Sequence, residues 1–86
     1  MVKVLKFGGS SLADPEHFIK VRDIVKSEPE RRYVVASAPG KRSSDDIKVT
    51  DMLYKCNSLA ERDESIEIYF DSIKKRYNEI ISGLGL

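Results

Sequence analysis

Lys6-Phe7-Gly8-Gly9-Ser10-Ser11 places a lysine, two glycines and two hydroxyls directly after an apolar run, Val4-Leu5. Residues of these types can hold phosphate. Glycines let backbone N–H groups approach an anion without obstruction from Cβ, and a lysine supplies charge where phosphoryl oxygens gather. A simple chain reversal at Gly-Gly uses the same residues, so the motif alone leaves both readings open. A second polar stretch, Pro39-Gly40-Lys41-Arg42-Ser43-Ser44-Asp45-Asp46-Ile47-Lys48-Val49, follows Ser37 and leads to Thr50. It is longer than the ~4 to 6 residues of an ordinary connection, which suits a binding or lid role as well as a merely exposed loop.

Two familiar nucleotide motifs are excluded. A Walker A loop ending at Gly40-Lys41 would need a glycine where Val35 stands and a hydroxyl where Arg42 stands. The dinucleotide pattern G-x-G-x-x-G fails because Gly8 and Gly9 are adjacent and no third glycine follows. Asp45-Asp46 is an acidic pair without an evident partner and reads as solvated. The single His17 and single Cys56 make no transition-metal ligand set, and Cys56 reads as a small residue of a helix core. No metal site is expected.

Fifteen basic against fourteen acidic side chains leave a net charge of +1, which offers no field for nucleic acid or an anionic membrane. The densest basic cluster, Lys74-Lys75-Arg76, lies between Asp71 and Glu79 and reads as a solvated helix face. No apolar stretch approaches the ~20 residues of a membrane span. Lys3 and Lys6 interrupt any signal-peptide pattern, so a cytoplasmic location is expected.

The positioning elements follow from the apolar pattern. Residues 2–7 and Tyr33–Ser37 read as buried strands. Between them lies a helix with Asp14 as N-cap, Pro15 in its first turn and an apolar face of Phe18, Val21, Ile24 and Val25, ending before Pro29. This β-α-β unit requires parallel strands and a right-handed crossover. A helix beginning at Thr50 or Asp51 carries Met52, Leu53, Cys56, Leu59 and Ala60 on one side. Another from about residue 63 carries Ile66, Tyr69, Phe70, Ile73, Tyr77, Ile80, Ile81 and Leu84 as a core stripe, with Gly83 and Gly85 as its stop. Both strands read as continuous apolar runs, the mark of a sheet covered on both faces. Two strands and three helices cannot supply that cover, so part of a larger domain is the expected state, with a small free-standing α/β domain as the alternative.

Three segments together carry a family resemblance: Val4-Leu5-Lys6-Phe7-Gly8-Gly9-Ser10-Ser11, Val34-Val35-Ala36-Ser37-Ala38-Pro39-Gly40-Lys41 and Lys48-Val49-Thr50-Asp51-Met52-Leu53. They resemble the opening motifs of the aspartate kinases in the amino-acid kinase family. The closing Tyr77–Leu86 is similar to the helix that follows those motifs. Ser10-Ser11 departs from the Thr-Ser of many relatives but keeps both hydroxyls.

The resemblance implies a fold class of α/β, the β-α-β start of a parallel three-layer α/β/α sheet, incomplete within these 86 residues. Residues 1–86 would form the N-terminal part of a kinase domain, with its downstream region and the ACT regulatory domains outside them. It implies ATP-dependent phosphorylation of the L-aspartate side-chain carboxylate to 4-phospho-L-aspartate, in lysine, threonine and methionine biosynthesis. Lys6 would contact the transferring phosphoryl group. Gly8, Gly9 and Ser10 would cradle ATP phosphates, and Ser37 and Thr50 would hold aspartate. Thr50 is equally suited to capping a helix, and Lys41 matches the family pattern without an assigned contact. Mg²⁺ is implied by phosphoryl transfer, with no ligand assignable here. The parent enzyme is expected to be a homo-oligomer, and this chain alone is expected to be inactive. The alternatives are a sibling kinase of the same family acting on glutamate or acetylglutamate, as the resemblance allows, a noncatalytic nucleotide- or phosphate-binding module, and a piece that self-associates through its sheet edge.

Overall fold

The computed structural model describes residues 1–86. Strand β1 (Lys3–Phe7) runs into a 3-10 turn (Gly9–Leu12) and helix α1 (Pro15–Lys26), which returns the chain to strand β2 (Arg31–Ala36). Helices α2 (Val49–Glu61) and α3 (Glu67–Gly83) follow. The strands pair in parallel, with Leu5 opposite Val34, Lys6 opposite Val35 and Phe7 opposite Ala36, and a register irregularity between Lys3 and Val4. The expected β-α-β unit is therefore present.

Local chemistry accounts for the helix boundaries. The Asp14 carboxylate caps α1 by accepting from the His17 N–H at 2.9 Å, and Pro15 occupies the first turn, where no intrahelical N–H bond is required. That N–H, followed by the His17 side chain, holds the Asp14 carboxyl below the usual carboxylate range. Helix α2 begins at Val49, with Lys48 at the cap position and no side-chain cap. Thr50 is thus already inside the helix and is not its cap. Helix α2 ends where Asp63 adopts φ 55°. The Asp63 and Glu64 N–H groups turn back to Ala60 and Leu59, the paired pattern of a Schellman stop. This turn and the Ser65 hydroxyl, which accepts from the Glu67 N–H, delay α3 to Glu67 rather than residue 63. Gly85, at φ 74°, closes α3 in the same way. Gly83 is its last helical residue, where a Cβ would overlap the Pro15 ring.

The core lies between the helices rather than on the sheet. Val49 and Met52 of α2 pack with Ile73 of α3, flanked by Ala38, Cys56 and Tyr69. Ile80 is also buried, but Phe70, Tyr77 and Ile81 of the expected core stripe are exposed. Val4, Tyr33 and Val35 are 67%, 62% and 55% exposed, so the apolar strands expected to be covered on both faces are largely bare. The radius of gyration, 15.3 Å, exceeds the about 12 Å of a compact chain of this length.

Arg76 is only 4% exposed, which corrects the reading of Lys74-Lys75-Arg76 as a wholly solvated face. Its Nη2 donates to the carbonyls of Gly40 (2.7 Å) and Ala13 (3.2 Å), and its Nη1 donates to that of Ile47 (3.1 Å). The Asp46 carboxylate lies 3.4 Å from Nη1. Asp46 is also not freely solvated. It accepts from Arg42 Nε at 2.7 Å, from Arg42 Nη2 at 3.0 Å and from the Arg42 backbone N–H at 2.9 Å, while Arg42 Nη1 reaches Glu79 at 2.7 Å. The Arg42 side chain, above all, holds the Asp46 carboxyl far below the usual carboxylate range, and Asp46 in turn raises Arg42. Periodicity alone could not separate Arg76 from its solvated neighbours, because its partners are backbone carbonyls of distant loops.

Replacing Arg76 by Met removes the donor for three carbonyls and should cost about 3 to 5 kcal/mol of unfolding free energy, with Arg76→Lys recovering only part, in chemical denaturation. Because the Asp46 and Asp14 carboxyls are depressed in the folded state, the stability they contribute is present above about pH 4 and lost as the pH falls further. Asp46→Asn should lower the melting temperature at pH 7 and reduce its further drop between pH 4 and 2. An unchanged acid drop would refute the role given to Asp46.

Candidate functional site

The site forms where the two strands end. The Ser37 N–H donates to the Phe7 carbonyl at 3.1 Å, extending the pairing one residue past β2 and setting Ser37 beside the start of the glycine turn. The Gly40 N–H donates to the Gly9 carbonyl at 2.8 Å, and the Val49 N–H donates to the Pro39 carbonyl at 3.2 Å. These three bonds draw together the turn after β1, the segment after β2 and the first turn of α2. Carboxyl ends of parallel strands are the usual place for a ligand in an open α/β sheet.

Between these segments lies a cleft of about 500 Å³. The glycine turn supplies Gly9 and Ser10, the second segment supplies Ser37 through Lys41, and the approach to α2 supplies Lys48 and Thr50. Of the sequence candidates, Gly9, Ser10, Ser37 and Thr50 therefore share one cleft, and Lys41 joins them. Lys6 and Gly8 do not line it. Lys6 is exposed in β1, on the face shared with Val4 and opposite the half-buried Leu5 and Phe7.

The two glycines of the first motif have separate physical roles. A Cβ on Gly9 would lie 3.0 Å from the Ala38 carbonyl oxygen and 3.1 Å from Gly40 atoms. A Cβ on Gly40 would lie 2.6 to 2.9 Å from the backbone of Gly9 and Ser10. Glycine is thus required at position 40 to let two backbones meet, and at position 9 a Cβ fits only if the facing backbone gives by a few tenths of an ångström. Gly8, by contrast, has φ −76° and ψ 173°, extended backbone open to any residue, and a Cβ there would meet nothing within 4 Å. Neither conformation nor internal packing demands glycine at this position.

The residues lining the cleft include three with hydroxyls, Ser10, Ser37 and Thr50, and two lysines, Lys41 and Lys48, and none is acidic. Such a surface suits oxyanions, to which hydroxyls donate and lysines add charge. Two of the nearby acids are already engaged, Asp46 with Arg42 and Arg76, and Glu79 with Arg42, while Asp51 lies in the first turn of α2. No group of three or more His, Cys, Asp or Glu side chains is arranged to hold a metal ion. Sequence reasoning did not single out Lys48. The available signal was a lysine immediately ahead of α2, a poor helix cap and a cation at the positive end of a helix dipole.

No protein-family model matches the chain. Among curated proteins, Aspartokinase 3 of Bacillus subtilis (strain 168) is 44% identical over 85 residues, covering 99% of this chain and 19% of that protein. The bifunctional aspartokinase/homoserine dehydrogenase of Haemophilus influenzae is 32% identical over 85 residues, covering 96% of this chain and 10% of that protein. The crystal structure of Clostridium acetobutylicum aspartate kinase, described as an allosteric enzyme, matches with a TM-score of 0.93 and 47% identity over 96% of this chain and 19% of that one. The parallel strand pair and its helices therefore match a segment of the aspartate kinase fold, and the chain spans about a fifth of the length of the first of these relatives. No helix is long and apolar enough to cross a membrane.

The glycine geometry separates two substitutions that look alike in sequence. Gly40→Ala forces two backbones apart and should cost about 1 to 3 kcal/mol of stability. Gly8→Ala should leave the melting temperature within about 2 °C, consistent with a change below about 0.5 kcal/mol. Thermal melts of both variants test this, and equal destabilisation would contradict the geometry.

Proposed function

We propose that this chain, homologous to aspartokinases over 99% of its length, forms the opening part of a kinase domain that transfers the ATP γ-phosphoryl group to the side-chain carboxylate of L-aspartate, giving 4-phospho-L-aspartate. The product class places the enzyme in amino-acid biosynthesis. The observation that carries the proposal is the convergence of Ser10, Ser37 and Thr50 from three separate segments on one cleft without carboxylates, at the strand ends. Homology supplies the reaction, and the cleft supplies residues suited to it.

In phosphoryl transfer the protein chiefly positions donor and acceptor and offsets the charge of the transferring group. In this reading the Gly8 and Gly9 backbone and the Ser10 hydroxyl face the ATP phosphates. The openness around Gly8 fits a position where the missing Cβ leaves room for a ligand. Ser37 and Thr50 donate to the aspartate carboxylates. Lys6 lies one residue before Phe7, whose carbonyl holds Ser37 in place, and its flexible ammonium group makes no ion pair within the chain. It is assigned to the transferring phosphoryl group.

The Mg²⁺ that accompanies ATP in such reactions finds no cluster of donors among these residues. No step on this chain is assigned to it. The same reading expects the 86 residues by themselves not to turn over substrate.

The test is aspartate-dependent ADP release from Mg-ATP by the full-length protein, with glutamate as the parallel acceptor. Turnover selective for aspartate is expected. Lys6→Ala should lower kcat by about 10²-fold or more while leaving the melting temperature unchanged. Turnover on glutamate alone, or a near-normal kcat in Lys6→Ala, would sink the corresponding assignment.

A further inference from the structure

The acceptor end of the cleft contains a cation that none of the assigned roles uses. Lys48 stands at the cap position of α2, two residues before Thr50, and lines the same cleft as Thr50 and Ser37. Lys41 lines it from the segment after β2. Neither lysine enters an ion pair or side-chain hydrogen bond. Other surface clefts that contain lysine also contain acids: Lys74 and Lys75 lie beside Asp71 and Glu79, and Lys55 lies beside Glu61. The cleft at the strand ends combines two lysines with no carboxylate, in a chain whose charges otherwise nearly balance.

The placement of Lys48 also works against local stability. An N-cap usually offers an oxygen to the first free N–H groups of its helix, whereas Lys48 offers none and puts a cation at the positive end of the dipole. Asp51 in the first turn supplies one negative charge, and an anion bound beside Lys48 would add a partner for its ammonium group. The neighbouring backbone is fixed: the Ile47 carbonyl accepts from buried Arg76, the Lys48 carbonyl accepts from the Met52 N–H, and the Val49 N–H donates to Pro39. A flexible ammonium group therefore extends from a rigid base.

We propose that Lys48 is a substrate-binding residue that pairs with a carboxylate of the acidic acceptor, with Lys41 adding charge across the cleft. This rests on the kinase reading for the identity of the acceptor. The physical need is specific, because the transfer brings an anionic carboxylate up to a polyanionic triphosphate. Cations at the acceptor end offset that repulsion, and Ser37 and Thr50 are neutral donors that cannot.

The test is equilibrium binding of L-aspartate to the full-length protein by calorimetry without nucleotide, with ATP binding measured separately. Lys48→Gln should raise the aspartate Kd at least about tenfold, the scale of one lost charge-assisted hydrogen bond. Lys48→Arg should restore most of the affinity, and the ATP Kd should stay within about twofold. Thermal melts should be unchanged or slightly raised, because the substitution removes a cation from the positive end of α2, and Lys48→Met is the second neutral variant should the Gln variant fold poorly. An unchanged aspartate Kd, a loss confined to ATP, or no aspartate binding by the unsubstituted protein overturns the assignment. Lys48-dependent aspartate binding without any turnover upholds Lys48 while refuting the kinase reading.

Discussion

Arg76 is the constraint on which the arrangement of loops depends. One guanidinium from α3 donates to the carbonyls of Ala13, Gly40 and Ile47, three positions that share no secondary structure. Burying a cation costs several kcal/mol unless its donors are used, and a planar fork with five N–H groups can serve several acceptors at once. Its Nε remains without a partner, so satisfaction is incomplete and the carbonyl contacts must compensate. The consequence extends to the cleft. Gly40 donates forward to Gly9 while its carbonyl is held from behind by Arg76, and Ile47 is fixed directly before Lys48. The cleft walls are thus positioned by a side chain that does not line them.

A second constraint is the lack of cover on the sheet. Val4, Tyr33, Val34 and Val35 expose apolar surface that a parallel sheet ordinarily buries on both faces. The buried residues are instead concentrated where α2 packs on α3 and at Leu12 and Ala13, at the end of the 3-10 turn. The sheet therefore acts here as a ruler. Its register and the Ser37–Phe7 bond set the relative position of the two strand ends, while the helices provide the packing. A ruler of two strands keeps its geometry only when its faces are covered, and the elongated shape of the chain provides little of that cover.

The sequence made legible what rests on local chemistry. Asp14 and Pro15 mark the start of α1 through the cap and first-turn rules, and the β-branched runs mark both strands. Ser10 could be singled out because glycines and hydroxyls follow a strand end, whereas Ser37 and Thr50 are implied only by the resemblance to the aspartate kinases. The illegible parts depend on contacts across the chain. Arg76 and Lys75 are adjacent and chemically similar, yet only Arg76 faces distant carbonyls. Asp46 looks like Asp45 until the loop folds Arg42 onto it. Gly8 and Gly9 are identical letters, and only the approach of Gly40 distinguishes the tightly packed glycine from the open one.

Arginines and lysines of this chain differ in how far they are paired, and the two lysines of the cleft are among the unpaired ones. Of the six arginines, Arg22, Arg31, Arg42, Arg62 and Arg76 are held in ion pairs, and Arg76 and Arg31 also donate to backbone carbonyls. Among the nine lysines only Lys3 is in an ion pair, with Glu28. The division follows from the side chains. A rigid, multidentate guanidinium fixes the distance between two chain segments, whereas an ammonium on a flexible stem adjusts to a partner whose position changes. In the proposed phosphoryl transfer, charge would move between donor and acceptor, and a cation locked into an internal ion pair could not follow it. Lysines left unpaired beside loops fixed by arginine combine a stable frame with charge free to meet a ligand.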